Sequence, residues 1–200
     1  MDCRGDRNTH RLRPLERFNL TVNAVLTVAP ASARTVLVAG SGPDRMGEWP
    51  ANGFTATYLD IEQRNNPDIV ADMTDMGEIG SFDVVYCCHA LEHLYPHQVH
   101  PALCEFRRVL NPGGMAIIMV PDLEDVRPTN DVLDYPEAGP ITGLHLYYGD
   151  HSKIAEFPYM AHHCGFVAKT LQYALKSAEF DAVITERTNQ FNLMGIGFKR

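Results

Sequence analysis

The chain has 200 residues, 45% of them hydrophobic and 21% charged, with a formal net charge of −8. That size and balance fit one soluble globular domain with a substantial core. The acidic balance argues against a dedicated nucleic-acid binder or a partner of anionic membranes. No apolar run approaches the roughly 18 residues of a transmembrane helix, so no membrane association is expected.

Residues 1–14 are polar and arginine-rich and close at Pro14, which reads as a flexible N-terminal arm. The first residues, Met1 to Arg7, lack the apolar core of a secretory signal. The five cysteines are odd in number and form no C-x-x-C pair, so a reduced, cytoplasmic setting is expected. From Leu15 to Leu26 the apolar residues fall at helical spacing and predict a helix leading into the first strand.

Val36-Leu37-Val38 is a β-branched apolar run that stops at Gly40 and Gly42, a buried strand ending in a tight glycine loop. The next connection is short and broken by Gly47 and Pro50, and its Trp49 is expected to plug the core. A second strand, Thr57-Tyr58-Leu59, ends in Asp60. Strand, glycine loop and an acid at the next strand's tip is the way α/β folds hold a nucleoside. A third short strand, Ile69-Val70-Ala71, ends at Asp72, and a fourth, Val84 to Cys88, ends at His89.

After Pro101 the residues Leu103, Phe106, Val109 and Leu110 share one helix face, and Asn111-Pro112-Gly113-Gly114 is expected to terminate that helix. Met115 to Val120 makes a fifth buried strand. Residues 121–165, rich in proline, aromatics and histidine without a clean period, read as a lid or substrate-wall insertion. A helix over 170–178 and two strands, 182–186 and 190–198, close the chain in a tight antiparallel hairpin. The predicted fold is therefore α/β: a doubly wound, Rossmann-like sheet of seven strands, mostly parallel with an antiparallel terminal hairpin strand. Residues 15–200 are taken as a single domain carrying that insertion.

In this order and spacing, several motifs resemble the class I S-adenosylmethionine-dependent methyltransferases of the small type 11 kind. They are Val36 to Gly42, Tyr58-Leu59-Asp60, Ala71-Asp72-Met73, Ser81 to Tyr86, His89-Ala90-Leu91-Glu92-His93-Leu94 and Leu110 to Gly114, together with the terminal hairpin. The resemblance runs from about Arg34 to Lys199 and implies the cofactor S-adenosyl-L-methionine. It implies that Ala39, Gly40, Ser41 and Gly42 pass under the methionyl part, and that Asp60 accepts the ribose hydroxyls. By the same resemblance Ile61 packs on the adenine, Asp72 accepts from its amino group, and the Met73 backbone lies near the ring. Cys88 and His89 would line the methionyl end. Three positions depart from the pattern: Val38 replaces an acid, Asp44 the third glycine, and Glu179 the glycine of an A-G-F.

Nine histidines are many for this length, and they cluster around Glu92 and between residues 145 and 163. Histidine suits proton removal near neutral pH, so His89, His145 and His151 are the candidate bases, with Tyr147 and Tyr148 as substrate-wall residues. The expected function is methyl transfer to an O or N nucleophile of a small molecule by in-line displacement, with a homodimer left open. One alternative is a methyltransferase-fold binding or scaffold protein without transfer activity. Another is a metal-dependent hydrolase, because His89-x-x-Glu92-His93 matches the pattern of inverted zinc peptidases. A divalent ion on Glu92, His93 and His145 is a further alternative; no resident metal is assigned.

Overall fold

The structure, a computed structural model, describes residues 29, 31–45, 49–135, 139–189 and 191–200. The expected arm at 1–14, the helix at 15–26 and residues 46–48 lie outside the described residues. Among the described residues there are nine strands: β1 (Thr35–Ala39), β2 (Thr55–Asp60), β3 (Ile69–Val70), β4 (Phe82–Cys88), β5 (Leu110–Pro121), β6 (Val132–Tyr135), β7 (Gly139–Thr142), β8 (Ala182–Asn189) and β9 (Asn192–Phe198). The α-helices are α1 (Pro96–Arg108), α2 (Gly143–Tyr148), α3 (His151–Ile154) and α4 (Ala168–Ser177).

Seven strands form one sheet in the order β3-β2-β1-β4-β5-β9-β8. β1 pairs in parallel with both β2 and β4, and β9 runs antiparallel to its neighbours β5 and β8. The expected fold class is therefore the observed one. Because strand order reverses around β1, the loops after β1, β2 and β4 diverge at one sheet edge and leave a crevice between them.

Side chains on successive strand residues point to opposite faces, and the core divides accordingly. Leu37, Ala39, Leu59, Val85, Cys87, Ala116 and Ile118 pack with Leu103 and Phe106 of α1 and Leu171 and Leu175 of α4. Val36, Val38, Tyr58, Val84, Tyr86, Met115 and Ile117 face the other way, against Trp49 and Phe54. Trp49 meets Phe54 and Tyr86 edge to face at ring-centroid distances of 5.8 and 5.1 Å, so it plugs the core as expected.

Four boundaries differ from the sequence expectation, each for a local reason. α1 starts at Pro96 and contains Pro101. Proline at the first helical position is pre-set for the helix. At Pro101 it removes only the bond to the His97 carbonyl, and both residues are exposed to water. Asn111-Pro112-Gly113-Gly114 does not separate helix from strand but lies inside β5, as an irregularity between the Phe82–Leu110 and Val84–Met115 pairs. The described part of 121–165, which shows no clean period in sequence, holds the β6–β7 hairpin, α2, α3 and a 3₁₀ turn at Pro158–Met160. The final hairpin is tighter than expected, with Asn189 already paired to Asn192.

The irregularity in β5 is tied to the start of β1 by Asp83. Its Oδ2 accepts from the Arg34 and Thr35 backbone N–H groups at 2.8 and 3.0 Å and from Thr35 Oγ1 at 3.0 Å, while Oδ1 accepts from Asn111 Nδ2 at 2.9 Å. Partial burial opposes the charge, but these donors outweigh it and hold the carboxyl down at about 2 against an ordinary 3.8. A carboxyl depressed on folding contributes stability that is present above its unfolded value and lost as pH falls through its folded one. Unfolding by urea should show stability falling between about pH 4 and pH 2. Asp83→Asn should be less stable at neutral pH and flatter across that window; an unchanged acid limb would refute the assignment.

Candidate active site

The loop after β1 is built by main-chain geometry and one carboxylate. Gly40 and Gly42 have φ of +70° and +62°, a region that side chains resist. The Leu59 carbonyl accepts from both Gly40 and Ser41 N–H, at 2.9 and 3.1 Å, and pins the loop to the end of β2. Asp60, nearly buried, completes the join: Oδ2 accepts from Gly42 N at 2.8 Å and Oδ1 from Glu62 N at 2.8 Å. Each carboxylate oxygen keeps a second lone pair, so ribose hydroxyls can still donate to it.

The same loop touches the end of β4. A Cβ on Gly40 would stand 2.4 Å from Ala90 Cβ and 3.5 Å from Met73 Cε. Glycine is needed there for contact between the two loops as well as for φ. A Cβ on Gly42 would project into open space, the room a cradle for a ligand requires. The Ser41 hydroxyl is fully buried and has no hydrogen-bond partner among the described residues. Beside Asp60, Ile61 is 58% exposed, an apolar surface fit to cover one face of a flat ring. Asp72 turns back on its own chain, with Oδ1 accepting from Thr74 N and Oγ1, both at 2.8 Å. Val38, where an acid was the pattern, is buried among the Trp49 cluster, so no carboxylate is presented there. Despite these departures, the glycines, Asp60, Ile61 and the β4 tip fit an adenosyl group across the crevice.

Cys88 is buried at the end of β4, and His89 leaves the strand at φ +50° with its N–H donating to the Met119 carbonyl at 2.8 Å. Residues 91–93 form only a 3₁₀ turn. The regular helix that the zinc-peptidase pattern needs is therefore not formed here. Glu92 is 1% exposed. Its carbonyl accepts from His163 and Cys164 N–H at 2.9 and 3.2 Å, stitching this turn to the segment before α4. His89 Nδ1 lies 3.3 Å from Glu92 Oε1. Burial opposes charge on Glu92, yet His89, His93 and His162 together hold its carboxyl below the ordinary range.

The histidines divide differently from the expectation. His145 and His151 pair with each other, ring centroids 5.2 Å apart. His162 stands in the place expected of His145. It packs edge to face on His93 at 4.9 Å, and its Nδ1 meets the Leu146 carbonyl at 2.9 Å. Burial keeps its imidazole below the usual value, and burial together with Glu92 pushes the Cys164 thiol up to about 12. The role of His162 escapes sequence reasoning because it depends on backbone pairing across some seventy positions; a histidine doublet amid prolines was the only trace. Beside it a cavity of about 450 Å³ is lined by Leu123, Tyr147, Tyr148, His162, His163 and Phe166, among others.

A mostly parallel sheet with this switch point, a glycine loop clamped by an acid and a second loop at the β4 tip make the kind of crevice in which open α/β sheets bind ligands. Residues 38–118 match the family model described as Methyltransferase domain. The matched stretch carries the glycine loop, Asp60, Asp72 and the turn after β4 with Glu92. A search of curated proteins finds no match. Among solved structures, an S-adenosylmethionine-dependent methyltransferase from Archaeoglobus fulgidus superposes with a TM-score of 0.67 at 15% identity, over 94% of this chain and 96% of that one. The 1,6-didemethyltoxoflavin-N1-methyltransferase of Burkholderia thailandensis, holding 1,6-didemethyltoxoflavin and S-adenosylhomocysteine, does so with a TM-score of 0.62 at 17% identity, over 93% and 78%. Human N-acetylserotonin methyltransferase with its cofactor gives 0.61 at 14%, over 92% and 53%. At these identities the likeness is one of fold. No helix among the described residues is long and apolar enough to cross a membrane.

Gly40→Ala combines a left-handed backbone with a clash against Ala90, which together should cost roughly 2–4 kcal/mol. In a domain of this size the melting midpoint should fall by at least about 4 °C. A midpoint equal to the parent's, measured by calorimetry, would contradict the packing described.

Proposed function

We propose that the chain transfers a methyl group from S-adenosylmethionine to an oxygen or nitrogen of a small molecule. The Asp60 clamp carries this reading: it orders the glycine loop and offers two acceptor oxygens at the mouth of the crevice. Ala39, Gly40, Ser41 and Gly42 are the proposed floor under the methionyl part. Asp60 and Asp72 accept from ribose and adenine, Ile61 and Met73 flank the ring, and Cys88 and His89 border the methionyl end. The cofactor supplies an already activated methyl on its sulfonium, so the protein need only align a nucleophile and take up its proton.

His89 is the base we assign. A carboxylate only accepts, so a proton on Nδ1 is directed at Glu92 Oε1, which orients the ring and favours the tautomer with a basic Nε2. His145 and His151, proposed from sequence as further bases, are supported less, because they pair with each other instead. The segment 121–165 is proposed as the substrate wall, with Tyr147 and Tyr148 toward the acceptor. A small-molecule acceptor is further supported by the compound bound to the Burkholderia relative.

Calorimetry with S-adenosylhomocysteine should show saturable binding, weakened at least about 10-fold in Asp60→Ala by loss of charged hydrogen bonds. A folded sample that binds neither this ligand nor S-adenosylmethionine overturns the reading. His89→Asn is the chosen test of the base, since asparagine tolerates positive φ. With a panel of phenol and amine acceptors its turnover should fall about 10²–10⁴-fold while cofactor affinity stays within a few-fold. Undiminished turnover would remove His89 from that role.

A further inference from the structure

Glu92 presents a problem that methyl transfer alone does not resolve. The residue is 1% exposed; Oε1 faces His89 Nδ1 at 3.3 Å, and neither carboxylate oxygen makes a hydrogen bond of ordinary geometry among the described residues. A carboxylate buried in this state is unfavourable unless positive charge faces it on more than one side. One side-chain donor atom from each of Glu92, His93 and His162 lies within 4.8 Å of the others.

Both rings are oriented through Nδ1. His93 Nδ1 meets the Ala161 carbonyl at 3.2 Å, and His162 Nδ1 meets the Leu146 carbonyl at 2.9 Å. A carbonyl oxygen can only accept, so each ring carries a proton on Nδ1, and in the neutral imidazole that an ion would bind the Nε2 lone pair is the one left available. A buried carboxylate beside two imidazoles whose N–H groups are spent on backbone carbonyls is a cluster of acceptors lacking a centre. Histidine ligands of metals are prepared in this way, through an outer hydrogen bond that fixes tautomer and orientation. The main chain supports the cluster too, because the Glu92 carbonyl holds the N–H groups of His163 and Cys164.

We propose that Glu92, His93 and His162 form a binding site for one divalent transition-metal ion. Two imidazoles and one carboxylate suit zinc, cobalt, nickel or iron better than magnesium or calcium, which prefer oxygen alone. Tetrahedral zinc with bonds of about 2.0–2.1 Å sets its ligand atoms about 3.3 Å apart, a small contraction of the present cluster. His89, 3.3 Å from Glu92 Oε1, is then an outer partner of the same carboxylate. Three protein ligands leave a position open. His162 also lines the cavity beside Tyr147, so that position is reached from the proposed substrate side and would take an oxygen donor of a bound molecule. The ion site itself does not depend on the methyl-transfer reading; only the role of its open position does.

Tag-free protein, stripped with chelator, should bind one Zn²⁺ or Co²⁺ per chain by calorimetry, and Co²⁺ should develop visible bands of a low-coordinate site. His162→Ala and the near-isosteric Glu92→Gln, each confirmed as folded by circular dichroism, should weaken binding more than about 100-fold, beyond what loss of an outer partner costs. His97→Ala, at an exposed position stacked on Tyr95, should bind as the parent does. No ion bound to the parent chain, or binding unchanged in both cluster variants, overturns the proposal. Binding of S-adenosylhomocysteine measured on the same samples is independent, so failure of the metal site and failure of the methyltransferase reading are told apart.

Discussion

The placement of β1 between β2 and β4 governs the molecule. A strand paired in parallel on both sides is buried on both faces, so its residues must be apolar and its function must be delivered at its end. Val36, Leu37, Val38 and Ala39 are all buried and carry no chemistry. The residues beyond them are forced outward at the reversal of strand order, and there main-chain N–H groups of the glycine loop meet the Leu59 carbonyl and the Asp60 carboxylate. Asp60 is thus structural before it is a ligand group. It satisfies donors that the sharp turn would otherwise leave without partners, and the same act fixes its oxygens at the mouth of the crevice, where the proposed ribose contact needs them.

A second layer of organisation concerns the long excursion after β5. It returns to the sheet through Asp122, which is buried, donates its N–H to the Phe191 carbonyl and pairs with Arg187 of β8. It returns again at His162, His163 and Cys164, which dock on the turn after β4. The wall of the cavity is therefore anchored at the same turn that positions His89. The proposed substrate wall, the proposed base and the glycine loop share supports: Ala90 touches Gly40, and Glu92 two residues later holds the segment that lines the cavity.

Much of this was legible in the sequence because it obeys local rules. Alternating apolar strands, the positive-φ glycines and an acid at the end of β2 each arise from short-range chemistry, and they place Gly40, Gly42, Asp60 and His89 at one edge. The boundaries were less legible. Pro101 reads as a helix start when it is an exposed interior residue, and Asn111-Pro112-Gly113-Gly114 reads as a stop when Asp83 captures Asn111 and keeps the strand going. The exchange of His145 for His162 beside Glu92 was hidden for a deeper reason. Both lie in a segment without periodicity, and only main-chain hydrogen bonds to a residue far away in sequence decide which one arrives.

The two ends of the sheet carry a consequence for how this chain meets copies of itself. An edge strand offers unpaired backbone groups to any extended neighbour and so invites aggregation. Here one edge, β3, is two residues long, too short to template a stable ladder. At the other, Arg187 of β8 is drawn sideways by Asp122 and Asp125, with a register shift beside it. That charged, irregular margin is poor ground for a flat intermolecular pairing. A sheet that must stay open to form its crevice is thereby protected at the margins that openness creates.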